Sequence, residues 1–444
     1  MMKKIIFTAL MFLIIFGVYG CVTTTDTTAT AMNTDPGSTS GVTYEKIALK
    51  NEYMVTGYEG SDTTVVISST YDGIPVTTIR NINNSAITSI VLPDSITYVE
   101  IGSLYNTGIS ELTIPKKLYY FAQAFSSPYA SDFIDIDFII PADHTYFKEA
   151  VICGRDAVVT KDETVLIALE NTADADETFI LPSTYVEIAS YACSRLSFGD
   201  ITLPISVTKI GTSAFSKSVF ENLTVYGHLS DIGEGCFWSV VFDRIEFENS
   251  IDVIEYNAFC KASGQEVILP ASVQEIGPYA FYDSSIETIV LPEYVKYIRD
   301  RAFAYAGFAG ELVLPEGLET IEQYAFSSNW LNSVVLPSTL SELDVKAFYN
   351  YSTSAVSKDL LLTRVQFESL SFVESESDLM TFVYGFVNYS FFMHLMYEGN
   401  DFTITIVMPT NTEDAERLEA AFQTVIDTYS SEWELYDNFV FETP

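Results

Sequence analysis

Apolar and polar positions alternate in short bursts along this chain, and the bursts return at a fixed interval. In Ser285-Ile286-Glu287-Thr288-Ile289-Val290-Leu291-Pro292, Ile289 and Leu291 alternate with Thr288 and Val290. That period of two predicts a short strand with one buried face. Pro292 has no N–H to donate and stops it. A second apolar pair, Val295 and Ile298, turns the chain back across the core, and Ala302-Phe303 close the unit. The alanine is small where the coil must be tight, and the phenylalanine fills its centre.

The Ala-Phe position or its equivalent recurs at Ala192-Cys193, Ala214-Phe215, Cys236-Phe237, Ala258-Phe259, Ala280-Phe281, Ala302-Phe303, Ala325-Phe326 and Ala347-Phe348, in steps of 22 with a single 23. Leu-Pro pairs at Leu181, Leu203, Leu269, Leu291, Leu314 and Leu336 keep the same register through Val225 and Phe247. Earlier units stand at Leu92-Pro93, Ile114-Pro115 with Ala124-Phe125, and Ile140-Pro141. One such coil cannot bury its own apolar face. Coils stacked about 4.8 Å apart can, by pairing each strand with the next. The phenylalanines at 215, 237, 259, 281, 303, 326 and 348 then form an internal aromatic ladder.

The pattern L-x-x-I-x-L-P-x-x-[LV]-x-x-I-x-x-x-A-F, sustained over roughly 65–350, resembles the leucine-rich repeats of the BspA-like bacterial surface class. The resemblance implies a right-handed, curved solenoid of 22–23-residue coils, with short parallel strands on the concave side. It also implies cell-surface exposure and roles in adhesion or host-protein binding, by analogy, since a fold does not fix a function.

Around the repeats the chain divides further. Residues 1–20, MMKKIIFTALMFLIIFGVYG, have two lysines before an apolar run and read as a signal peptide. Val18-Tyr19-Gly20-Cys21 resembles a lipobox, although Tyr19 stands where a small residue is usual, so Cys21 is the expected lipidation site. The lipid would anchor the protein to a membrane without a spanning helix. Residues 21–41, rich in threonine, read as a flexible tether. A β-rich N-terminal cap is expected over 42–80 and the solenoid over 81–350. The period breaks at about 141–179, where Glu149–Cys153, Ala157–Thr160 and Thr164–Leu169 predict a β-hairpin insertion with turns at 154–156 and 161–163. Residues 351–444 read as a C-terminal cap containing a strand, Phe402–Met408, and a helix from about Glu413 to Tyr429. Leu418, Phe422, Val425, Ile426 and Tyr429 lie on one face of that helix, and Asn411 or Thr412 is its N-cap.

Composition narrows the function. Formal net charge is −38, a field that repels nucleic acid and anionic lipid. Five cysteines without CxxC spacing and three histidines give no zinc site. Cys193, Cys236 and Cys260 take ladder or near-ladder positions and read as small apolar fillers. His144, His228 and His394 stand in unrelated contexts, His228 at a surface turn. No G-x-S-x-G, H-E-x-x-H or Walker loop is present. The acidic runs at Asp132, Asp135, Asp137 and at Asp174, Asp176, Glu177 lack the EF-hand pattern and read as solvated acids. Neither a reaction nor a cofactor or metal is expected.

The candidate site is a column. The outward residue of successive strands reads Val91, Thr113, Ile180, Thr202, Thr224, Glu246, Ile268, Val290, Val313 and Val335, beside a polar column of Ser89, Glu111, Thr178, Asp200, Asn222, Arg244, Glu266, Thr288, Glu311 and Ser333. A long apolar strip marks a contact site, although β-propensity alone also favours Val, Ile and Thr there. The leading expectation is a monomeric, exported lipoprotein on a bacterial surface that binds an extracellular or host-surface protein through Thr202, Thr224, Glu246, Ile268, Val290, Val313 and Val335. A structural or self-associating envelope scaffold is the alternative. A secreted hydrolase with catalysis in 351–444 is a minor one.

Overall fold

A computed structural model of the chain describes residues 34–100, 102–119, 121, 136–170, 178–349, 364–370, 375, 379–380, 382–383, 404–433 and 439–442. The signal, Cys21, most of the tether, Ala124-Phe125, His394 and the acids at 132, 135, 174, 176 and 177 lie outside these residues.

The coils stack as the period predicts, and they do so through three hydrogen-bonded ladders. The first is built from the predicted strands. Phe179–Ile180, Ile201–Leu203, Val219–Val225, Val241–Phe247, Ser263–Ile268 and Ser285–Ile289 form one parallel sheet. Ala309–Val313, Trp330–Leu336, Arg364–Phe367, Ile404–Val407 and Phe439–Glu442 form a second one. The apolar pair after each proline does more than turn the chain. It supplies a second parallel ladder of Leu229–Ile232, Ile251–Ile254, Glu275–Ile276, Tyr297–Ile298, Thr320–Ile321 and Glu342–Leu343.

The third ladder runs along the turn that carries Ala-Phe. There Phe215, Phe237, Phe259, Phe281, Phe303 and Phe326 each donate their N–H to the carbonyl of the Ala or Cys that precedes the next coil's phenylalanine, at 2.6–2.9 Å. Two left-handed residues frame each of the seven pairs from Ala192-Cys193 to Ala325-Phe326. Tyr191, Ser213, Gly235, Asn257, Tyr279, Arg301 and Tyr324 precede it, and Arg195, Lys217, Ser239, Lys261, Asp283, Tyr305 and Ser328 follow it, with φ between 53° and 63°. Left-handed backbone costs a non-glycine residue roughly 1 kcal/mol or more. It persists here because the N–H of these residues reaches the next coil: Ser213 to Glu234 O, Lys217 to Trp238 O and Asp283 to Ala304 O, each at 2.8–2.9 Å.

Inside, the rings from Phe215 to Phe348 stack at centroid distances of 5.6, 5.0, 4.9, 5.0, 5.3 and 5.5 Å. Each buried ring contributes about 1.5–3 kcal/mol through apolar area removed from water. Cys193 and Cys236 are buried without remainder, as filler thiols should be, and burial pushes the Cys193 thiol up to about 12.

The insertion is an antiparallel meander of Phe147–Ile152, Arg155–Thr160 and Val165–Leu169. Its first turn is narrower than the sequence suggests. Only Cys153 and Gly154 form it, both at positive φ (50° and 78°), which is how a two-residue hairpin matches strand twist. Arg155 and Asp156 belong to the strand instead. Arg155 is buried; its guanidinium donates to Ser197 O at 2.7 Å and lies 4.6 Å from the Phe198 ring. Val165–Leu169 then pairs in parallel with Glu187–Ile188, so the insertion joins the stack. At the far end the helix spans Thr412–Trp433 and buries Leu418, Phe422 and Val425. Asn411 caps it, its Oδ1 accepting the Glu413 N–H at 3.0 Å. The side chains of Ile426 and Tyr429 lie outside the described residues. Ahead of the array, Thr64–Val66 already pairs in parallel with Ser89–Val91, so coil stacking begins inside the segment 42–80.

Candidate binding face

Strand alternation sends one set of side chains into the core and the next outward. Leu223, Ile245 and Val267 are buried, while Thr202, Thr224, Glu246 and Ile268 stand between buried neighbours as half-exposed positions. These four lie in continuous register, Thr202 opposite Thr224, Thr224 opposite Glu246, Glu246 opposite Ile268. Ile180 extends the row at one end. Val313 and Val335 are partners in the second sheet. Val290 belongs to neither register: it lies one residue beyond Ser285–Ile289 and is 67% exposed. The column therefore comes in two registered parts with Val290 between them.

The polar column beside it is tied together coil to coil. Asn222 Nδ2 donates to Asp200 Oδ1 at 2.7 Å, and Arg244 pairs with Glu266 at 2.7 Å and Glu246 at 3.3 Å. Exposed pairs of this kind contribute under about 1 kcal/mol each, so they order the face more than they stabilise it.

Two features of the surface were missed in the sequence. Strands of seven residues begin earlier than the alternating core of each repeat shows, and this adds exposed Val219, Val241 and Trp330 to the same face. The recurrence of Phe220 and Phe242 at the repeat spacing could have revealed the extension. On the turn edge, Tyr256, Tyr279, Tyr282 and Tyr305 make successive ring contacts at 5.3–5.8 Å, and Arg301 lies 4.6 Å from the Tyr324 ring.

Among the described residues no group of three or more His, Cys, Asp or Glu is placed to hold a metal ion. His228 is at the surface and meets the Ser250 hydroxyl, whereas His144 is buried. No described helix is long and apolar enough to cross a membrane.

These features define a leucine-rich-repeat-type solenoid: stacked coils joined by parallel strand ladders, a buried aromatic ladder and an exposed strand face. A family model for the BspA type leucine rich repeat region, in 6 copies, matches residues 60–148, 171–241 and 236–355, and the chain belongs to that family. Among solved structures, the chain is similar to a leucine rich cell surface protein from Faecalibacterium prausnitzii A2-165, at 18% identity over 79% of this chain and 97% of that one, with a TM-score of 0.38. It is also similar to a leucine-rich repeat protein from Bacteroides ovatus ATCC 8483 (14% identity, 74% and 93% covered, TM-score 0.31) and to the pneumococcal vaccine antigen PcpA (14%, 91% and 98%, 0.31). Overlays this loose carry no argument about function. No curated protein matches the chain.

Proposed function

We propose that this protein is a surface lipoprotein whose strand face binds another protein, in adhesion to a host or matrix component. The observation that carries the reading is the outward column: Ile180, Val290 and Val313 are 55%, 67% and 61% exposed along a face whose fold has no need of apolar side chains in water. Broad repeat faces suit large partners, and family membership supports presentation at the cell surface. By the family resemblance this face is the concave one. A net charge of −38 favours a basic partner and salt-sensitive association.

The test displays residues 22–444 on beads against a panel of extracellular-matrix and host-surface proteins. A second preparation carries Thr224→Lys, Ile268→Lys and Val290→Lys, with folding checked by circular dichroism. Saturable binding that the lysine variant loses supports the reading. No binding by either, with concentration-dependent assembly in ultracentrifugation, shifts the assignment to a self-associating scaffold. Separately, Cys21→Ser should move the protein from the membrane fraction to the medium. Retention on the membrane would remove the lipid anchor from the reading.

A further inference from the structure

The strand ladder is interrupted in the middle of the regular array. Ser285–Ile289 is the last strand of one sheet and Ala309–Val313 the first of the next, and the two are not paired. The coils themselves stay stacked across the same junction. Tyr297–Ile298 pairs with Thr320–Ile321, Phe281 stacks on Phe303 at 5.0 Å, and Asp283 N–H reaches Ala304 O at 2.9 Å. The junction is therefore closed on two sides of the coil and open on the strand face.

The cause lies in the one 23-residue step. The segment Ala306-Gly307-Phe308-Ala309-Gly310 turns through two glycines at φ 80° and 75°. Phe308 then donates its N–H to Asn329 Oδ1, and its carbonyl accepts the Trp330 N–H, both on the following coil. In the three coils before it, the corresponding N–H groups of Val241, Ser263 and Ser285 bond backward, to Ser218, Val240 and Ala262. The preceding strand thus loses its partner. Its consequences are local: Ile289 and Leu291 are half-exposed where their counterparts are buried, Val290 and Val313 protrude, and the buried Ser284 Oγ has no hydrogen-bond partner among the described residues.

We infer that this break is a docking site for an extended segment of a partner protein, which adds as a β-strand to the open edges and carries basic residues alternating with apolar ones. The inference rests on the binding reading of this face and names its mode. An open strand edge recruits a strand because its N–H and C=O groups point at a vacant rung. Apolar side chains of the segment would cover Ile289, Val290 and Val313. The charge of the occupant follows from the rim: Glu287 and Glu311 flank the break, Glu293 and Glu316 lie beyond it, and no lysine or arginine occurs in 284–294 or 306–318.

The experiment uses the full chain in detergent micelles and a labelled octapeptide alternating lysine with valine. Binding is read by fluorescence anisotropy and located by amide hydrogen exchange. The expected result is saturable binding with new protection in 285–291 and 309–314. Three controls should each weaken it at least tenfold: N-methylation of alternate peptide amides, replacement of the lysines by glutamate, and Glu287→Lys with Glu311→Lys in the protein. Glu234→Lys with Asp252→Lys, an equal change of charge at exposed positions off the strand face, should leave binding unchanged. No saturable binding, or binding without protection at the two segments, overturns the inference. If the bead assay meanwhile finds a protein partner lost on the lysine variant, the general binding reading survives and only the strand-addition mode fails. If the bead assay finds none while the peptide protects the break, the break stands as a site and the broad-face adhesin reading fails.

Discussion

From Phe215 to Phe348, six successive ring pairs stack within 3–18° of parallel, whereas in the N-terminal core the geometry varies: Phe121 meets Phe138 at 4.9 Å and Phe147 at 5.6 Å edge-on, both at 69°, while Tyr44 and Tyr71 stack at 26°. Identical residues at identical places in stacked coils can only repeat one orientation, and offset stacking is the repeatable choice. Where the sequence loses its period, each ring is free to take the edge-on geometry. The two cores meet at the insertion. Its alternation sends Ile152, Ala157, Val159, Leu166 and Leu169 into the array, and Phe147, Val158, Ile167 and Ala168 into the N-terminal core. A hairpin with period two serves as a wall with two apolar faces. One chain has thus built a periodic core and an aperiodic one, and the hairpin is all that need couple them.

The largest effect should come from breaking the periodic core at its centre. Phe281→Ala removes a fully buried ring with neighbours stacked on both faces and should cost about 3–5 kcal/mol in denaturant unfolding. Coils touch only their neighbours, so hydrogen exchange should rise on both sides of residue 281 while 42–121 keeps its protection. Uniform loss over the whole chain would show the two cores to be one cooperative unit.

Next in size is the hairpin's anchor. Arg155→Leu removes the charge-assisted bond to Ser197 O and the contact with the Phe198 ring, leaving a carbonyl short of its donor. An expected loss of about 2–4 kcal/mol follows from that desolvated carbonyl together with the lost cation–π contact. If the comparison holds, this variant should split a single melting transition into two. A smaller change, about 1 kcal/mol, is expected for Asn411→Ala at the helix cap, measured by thermal melting, and it should touch the array's end alone.

How far the sequence disclosed these features depended on whether they repeated in kind. The strands, the prolines that end them and the phenylalanine ladder recur as the same residue types at one interval, so their stacking could be read directly. The second ladder could not, because strands as short as Glu275–Ile276 are too brief for alternation to show. Nor could the left-handed columns: Tyr191, Ser213, Arg301 and Tyr324 occupy them beside Gly235 and Asn257, so identity gives no sign of positive φ. Stacking imposes that conformation. The extra residue between Phe303 and Phe326 was visible as a change of step, yet nothing local says that Phe308 would turn its hydrogen bonds to the following coil. Of the outward column, direction was legible from alternation, while its interruption at Val290 was not.

The smallest effect, and the most selective between the cores, is a titration. His144 is buried beside Phe147, with ring centroids 5.0 Å apart, and its Nδ1 accepts the N–H groups of Tyr146 at 3.1 Å and Phe147 at 3.0 Å. Both bonds need the Nδ1 lone pair, so the folded ring is neutral. Burial is the main cause that holds its pKa below the ordinary 6.5. Above 6.5 neither the folded nor the unfolded imidazole is charged, and the full stability is present. As pH falls from there toward the lower folded value, the unfolded chain takes up the proton first, and stability of this core declines. The array has no buried imidazole among its described residues. Its Glu255 works in the opposite sense: partial desolvation and the neighbouring Asp231 raise its carboxyl above the usual 4.5, so acidification there favours the fold. Between pH 7.5 and 5.5, hydrogen exchange corrected for its intrinsic rate should therefore quicken across 144–160 and hold or slow across 237–326. His144→Phe should abolish the dependence, though at a lower starting stability because two N–H groups lose their acceptor. Equal quickening in both segments would mean that protonation of one histidine is felt through the hairpin by the whole solenoid, and the two cores would then have to be described as one.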